Sequence, residues 1–342
     1  MNMYKWIERM IYLEDRKAFP LLSFPSVQLL YVTVKELVTN SNYQAMGMKM
    51  LADKYDMPGV PSFMDLSVEA EAFGSRTVYQ ADEVPTIIGR IIEDEDDVEK
   101  LKIPKVGDGR TGIYVEGTKK AMKLITDRPV FGGCTGPFSL AGRLMDINEI
   151  MMLCYEEPEL VHSVLRKVTD FLLEYVKAYK EIGAQGVIMA EPLAGVLSPQ
   201  LAQEFSTEYV REIVETLQDQ NFLIIYHNCG NYTIQLIDTI LDTGCRVFHF
   251  GDSIDMAQMM KLIPEDCIAM GNVSPAKQFR NGTPQSVRNA TVRLLEACGR
   301  YRNFMVSSGC DIPPLTEFEN IDAFFDTVHS YYYRQRLLDL IA

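Results

Sequence analysis

Four strand–helix units follow one another through the second half of the chain, and every one of the strands runs out into polar residues. The strand ends read Ala190-Glu191-Pro192, His227-Asn228-Cys229-Gly230, Gly251-Asp252-Ser253 and Gly271-Asn272-Val273, and a last strand ends in Ser307-Ser308-Gly309-Cys310-Asp311. Short β-rich runs alternating with longer helical patterns predict a parallel sheet, because parallel strands need a crossover to return to the same edge. Eight candidate strands can be marked, at residues 18–24, 62–66, 130–138, 186–191, 222–229, 246–252, 267–272 and 303–310. Eight parallel strands joined by helices close a barrel, so the expected fold is an α/β single domain over residues 1–342, a (β/α)8 TIM barrel. Residues 1–60 are expected to form a peripheral helical extension, with amphipathic stretches at 4–12 and 28–50.

The helices have clear punctuation. Residues 157–182 carry Leu160, Val164, Val168, Leu172 and Val176 at helical spacing and stop at Gly183. A helix over 199–218 follows Ser198, and one over 285–300 follows Thr283-Pro284, each a good N-cap beside a proline tolerated in the first turn. A final helix spans 321–341. The acidic run 93–100 reads as a solvated surface segment.

Composition narrows the function. The net charge of −14 argues against a nucleic-acid or anionic-membrane surface, since both are met by basic patches. The apolar runs are too short to span a bilayer, and the first 20 residues interleave charges with apolar residues, unlike a signal peptide. Seven cysteines without framework spacing read as reduced thiols, so a cytoplasmic location is expected.

Two of those cysteines stand where chemistry is expected. His227 and Cys229, two apart on one strand, project from the same face. Cys310 ends the last strand, and closure of a barrel brings it to the same rim. A His/Cys/Cys set suits Zn²⁺, and three protein ligands with a position left open is the catalytic pattern. The competing reading is three buried core residues, since cysteine is often buried and inert. Glu191 and Asp252, also at strand ends, are candidates for a fourth ligand, a proton acceptor or a group that orients a ligand. Asp65 either faces the pocket or caps the following helix. Asn231 and Asn272 read as loop-shaping residues that can touch substrate, and Gly132, Gly133 and Gly136 as places for close backbone approach. His162 and His329 lie on predicted helices, and His249, alternating with Phe248 and Phe250, is expected to pack between barrel and helices. The Met-rich runs read as core filler, and Tyr331–Tyr333 are available for a contact in a homo-oligomer.

Six segments in order carry a family resemblance: DLSVEAEAFG from Asp65, GCTGPFSLAG from Gly133, AEPLAG from Ala190, HNCGN from His227, GNVSP from Gly271 and SGCDIP from Ser308. With these the chain resembles the uroporphyrinogen decarboxylase superfamily, and within it the methylcobalamin:coenzyme M methyltransferases and related corrinoid-dependent methyltransferases. The resemblance implies a (β/α)8 barrel with zinc on His227, Cys229 and Cys310. It also implies methyl transfer between a corrinoid (methylcobalamin), carried by a small partner protein, and a small thiol or methyl donor. Zinc would keep a thiol substrate as its thiolate, and the direction of transfer stays open. Two alternatives remain. One is a metal-free porphyrinogen decarboxylase, although the arginine-rich N-terminal segment that such enzymes use for substrate carboxylates is missing from the first 60 residues. The other is a non-catalytic zinc- or corrinoid-binding module, in which a fourth protein ligand closes the metal.

Overall fold

The computed structural model describes residues 1–341. Seven parallel strands curl into one sheet, in the order β1 (Val60–Pro61), β4 (Val130–Thr135), β5 (Gly186–Ala190), β6 (Leu223–Asn228), β7 (Val247–Phe250), β8 (Ile268–Val273) and β9 (Phe304–Ser308). A separate antiparallel hairpin, β2 (Arg76–Val78) with β3 (Thr86–Ile88), lies in the long insertion between β1 and β4. Each neighbour in the large sheet is also next in sequence, as expected of a TIM-barrel-like α/β fold.

The first expected strand, 18–24, is not part of a regular ladder. It runs along the free edge of β9, where Phe19 N–H donates to the Val306 carbonyl at 2.9 Å and Leu21 N–H to Ser308 Oγ at 3.0 Å. Prolines explain the missing ladder on its other side. Pro20 and Pro61 have no N–H to offer across that seam. The second expected strand is likewise shorter and earlier than 62–66, and the third stops at Thr135 because Pro137 opens the helix Pro137–Met145.

Alternate strand residues build two layers. Phe131, Ile188, Leu223, Ile225, Val247, Ile268, Met270 and Met305 point to the barrel axis. The other parity, including Val187, Ile224, Phe248 and Val306, packs outward on helices such as Pro158–Glu181, which contributes Val164, Val168, Leu172 and Val176. Both faces are apolar, as covered parallel sheets require.

The N-terminal segment departs from expectation. The helix Met3–Tyr12 is no peripheral element: Met3, Trp6, Ile7 and Ile11 join the barrel's inner layer. Trp6 Nε1 donates to the Pro58 carbonyl at 3.2 Å and Met3 N–H to the Gln220 carbonyl at 2.6 Å. Pro58 and Gln220 precede β1 and β6, so the helix plugs the barrel at the N-terminal ends of its strands. The stripe reads as amphipathic in sequence, but only closure of the barrel supplies the apolar surface it covers. The stretch 28–50 is three helices rather than one: Ser26–Leu30, Val34–Val38 and Ser41–Lys54. Tyr31 adopts a left-handed conformation, Thr33 and Glu36 form a capping box, and Asn40 caps the third helix. Three start-and-stop signals override the continuous apolar pattern.

Candidate active site

His227 is the last inward residue of β6 before the strand ends at Asn228, and Cys229 is the first residue beyond it. Cys310 lies two residues past β9. The barrel brings the three together. Cys310 Sγ is 3.6 Å from His227 Nε2, and Cys229 lies close enough to Cys310 for each thiol to shift the other's pKa. The contact with Cys310 lowers the Cys229 thiol below its ordinary value, and the same contact together with burial pushes Cys310 up to about 12.

The spacing can be tested against the chemistry of the donor set. Zinc ligated by nitrogen at about 2.0 Å and sulfur at about 2.3 Å, at a tetrahedral angle, separates the two ligand atoms by about 3.5 Å. The His227–Cys310 pair meets that edge length. Among the described residues, however, no group of three His, Cys, Asp or Glu side chains stands at metal-holding geometry. The fit is therefore that of a pair with a neighbouring third thiol. The loop carrying Cys229 is tightly made. Asn228 Oδ1 accepts from Gly230 N–H at 2.9 Å, and a Cβ on Gly230 would lie 2.4 Å from the backbone of Gly195, so only glycine fits between the two loops.

Behind His227 stands a residue that strand alternation misassigned. His249 Nδ1 lies 2.8 Å from His227 Nδ1, and His249 Nε2 lies 2.9 Å from Ser307 Oγ. The parity argument was sound but its sign was not: Phe248 and Phe250 are the residues that pack on the helices, and His249 points inward. It is the register partner of His227. Complete burial, with His227 beside it, holds the His249 imidazole well below its ordinary range and hence neutral. The strand itself carried no signal for this, because both faces of β7 are buried and either parity could be the inner one.

Glu191 sits elsewhere than expected. Ile188 points inward, so Glu191 has the outward parity. Its carboxylate accepts from Phe138 N–H at 2.8 Å, Ser139 N–H at 3.0 Å and Ser206 Oγ–H at 2.9 Å, with no exposure to solvent. This geometry describes a cap on the helix Pro137–Met145, whose first N–H groups need an acceptor. Burial raises its pKa, against the pull of those hydrogen bonds. The widened helical turn Gln203–Thr207 is what delivers Ser206.

Asp252 is exposed at the rim, near enough to Cys229 for its charge to oppose that thiolate. Asn231 is exposed in the loop after Cys229. Asn272 ties two loops together, donating to the carbonyls of Gly251 (2.9 Å) and Ile254 (2.6 Å). Asp65 is committed to a buried network: it pairs with Arg110, accepts from Tyr114 Oη–H at 2.7 Å, and accepts from Ser67 N–H at 3.1 Å. Asp65 makes no side-chain cap on the helix Val68–Ala72 that follows it, and Arg110, the residue before the helix Thr111–Leu124, was not foreseen. Gly133 and Asp65 line a small cavity with Glu69 and Tyr114. Glu69, another unforeseen residue, accepts from Thr135 N–H and Oγ1–H, and burial pushes its pKa up to about 7. His162 stacks on Phe205 and bonds Tyr209, as a packing residue should.

Known proteins are similar over most of this length. The chain is 27% identical over 278 residues to the methylcobamide:CoM methyltransferase MtbA of Methanosarcina acetivorans, covering 79% of this chain and 78% of that protein. It is 25% identical over 292 residues to the uroporphyrinogen decarboxylase of Psychromonas ingrahamii, covering 81% and 79%. In three dimensions it superposes on a methyltransferase from Methanosarcina mazei with a TM-score of 0.84 at 20% identity, over 97% of this chain and 99% of the other. A B12-independent methionine synthase from Shewanella matches with a TM-score of 0.62 at 13% identity, over 96% and 99%. No helix among the described residues is long and apolar enough to cross a membrane. The sequence profile described as Uroporphyrinogen decarboxylase (URO-D) matches residues 24–331, and the chain belongs to that family.

Proposed function

We propose that this chain is a methyltransferase that moves a methyl group between a corrinoid (methylcobalamin), carried by a small partner protein, and a small thiol or methyl donor. In this reading Zn²⁺ is held by His227, Cys229 and Cys310. The observation that carries it is the 3.6 Å approach of Cys310 Sγ to His227 Nε2, with the Cys229 thiol beside Cys310. Relatives named as methylcobamide:CoM methyltransferases support the reaction class. When bound, zinc supplies a positive centre that keeps a thiol substrate ionised at neutral pH.

The chain's own residues supply the rest. Two thiolates and a neutral imidazole balance the charge of the ion, and the three side chains have to draw together to complete the set. Glu191 anchors the helix after β4 rather than serving as a ligand, and Asp252 faces incoming partners from the rim. Asn231 beside Cys229 is available for substrate contact. Gly133 and Asp65 shape the wall near β4. The alternative, decarboxylation of a porphyrinogen, asks for free cations to hold several carboxylates. Arg110, a buried guanidinium on that wall, is already paired with Asp65 and Glu71, and Arg143, largely buried nearby, lies in the field of Glu69 and Asp65.

Zinc content of the purified chain, measured beside His227→Ala and Cys310→Ala, is the direct test, with free methylcobalamin and a panel of thiols as substrates. About one zinc per chain, lost in both variants together with thiol-dependent demethylation, is the expected result. A wild type without zinc or demethylation that consumes uroporphyrinogen would reverse the assignment.

A further inference from the structure

We propose that His249 and Ser307 are positioning residues that lock His227 into the tautomer and ring orientation needed to bind metal through Nε2. The inference rests on the zinc reading above and adds two residues to it. Its basis is a continuous line of four side chains across the barrel interior: Cys310 Sγ, His227, His249 and Ser307, joined at 3.6, 2.8 and 2.9 Å.

The line admits only limited proton arrangements. Two ring nitrogens 2.8 Å apart share one proton, since two would repel and none would oppose two lone pairs. If Nε2 of His227 gives its lone pair to a metal, a neutral His227 must carry its proton on Nδ1. His249 Nδ1 is then the acceptor, His249 Nε2 bears the hydrogen, and Ser307 Oγ accepts it. Metal ligation therefore dictates the direction of every hydrogen bond behind it, and those bonds in turn hold the ring. The alternative order, with Ser307 donating to His249 and His249 to His227, leaves the proton on Nε2 and blocks ligation. Full burial of His249 and Ser307 keeps water from substituting for either partner. The strand register fixes the geometry, because His227 and His249 are direct partners on β6 and β7. A neutral imidazole in this place orients the ligand without adding negative charge to a site that already holds two thiolates.

The test uses the full chain with zinc as the probe. Zinc affinity is read by chelator competition in wild type, His249→Phe, His249→Asn and Ser307→Ala. His249→Phe keeps the ring shape and loses the acceptor, and affinity is expected to fall about ten- to a hundredfold. His249→Asn restores an acceptor near the Nδ1 position and is expected to recover most of that loss. Ser307→Ala should fall between them. Nitrogen-15 NMR of selectively labelled histidine reads the tautomer directly in the wild type, where the chain's four histidines keep the spectrum assignable. The zinc-loaded wild type should show His227 protonated on Nδ1, with zinc at Nε2. An unchanged affinity in His249→Phe, an Asn variant as weak as Phe, or ligation through His227 Nδ1 would overturn the inference while leaving the zinc site standing. A wild type that binds no zinc overturns both.

Discussion

Replacing Glu191 separates a helix cap from a metal ligand, because the two roles predict opposite patterns of loss. The carboxylate is wholly buried and accepts three hydrogen bonds, from Phe138 N–H, Ser139 N–H and Ser206 Oγ–H. Glu191→Ala strands three buried donors at about 1–3 kcal/mol each. The sum, about 3–9 kcal/mol, is an upper range, because removing the carboxylate also relieves its own desolvation and lets water in. A net loss of about 3 kcal/mol is expected, above the usual range for a single exposed cap. Glu191→Gln keeps one acceptor oxygen but turns an amide N–H₂ toward a backbone N–H, for a loss of about 1–2 kcal/mol. Denaturant unfolding of the metal-free chain measures both, and zinc content of the folded variants measures the other role. The expected result is reduced stability with zinc stoichiometry intact. A Gln variant as stable as wild type that no longer retains zinc would refute the capping argument and return Glu191 to the ligand set.

Two further outcomes follow from packing and from charge. Gly230→Ala drives a Cβ to 2.4 Å from the Gly195 backbone, where no side chain can swing aside; overpacking should cost about 1–3 kcal/mol and, by displacing the Cys229 loop, weaken zinc binding in chelator competition. Glu69 is raised from its ordinary 4.5 to about 7, so between those values the folded chain holds a proton that the unfolded chain has released. Stability should therefore decline by about 3 kcal/mol as pH rises from 4.5 to 7 from this group alone, and Glu69→Gln should flatten that slope in urea melts across the range; an unchanged slope would refute it.

Legibility of the site tracked how far each residue's role depends on its neighbours in sequence. His227, Cys229 and Cys310 were visible because they interrupt apolar strands at their ends, where turn chemistry accounts for glycine and asparagine but not for histidine and cysteine. Arg110 and Glu69 were not visible, since nothing local distinguishes a solvated charged residue from one folded inward against Asp65 or Thr135. Boundaries slipped for identifiable causes: Pro20, Pro61 and Pro137 shortened strands, and the Thr33–Glu36 capping box divided one apolar stripe into three helices.

By itself the sequence determined the alternation of strand and helix, the parallel order that such alternation imposes, and the strand ends at which reactive side chains collect. It also sorted each strand into two parities, because successive side chains leave a strand on opposite faces. Only the tertiary structure decided which parity is inner. In a parallel barrel both faces of every strand are apolar, so the pattern is symmetric until closure places one face on the axis and the other under helices. That one choice turned His249 from packing residue into the neighbour of His227, moved Glu191 from the pocket to a helix end, and supplied the floor that the helix Met3–Tyr12 plugs.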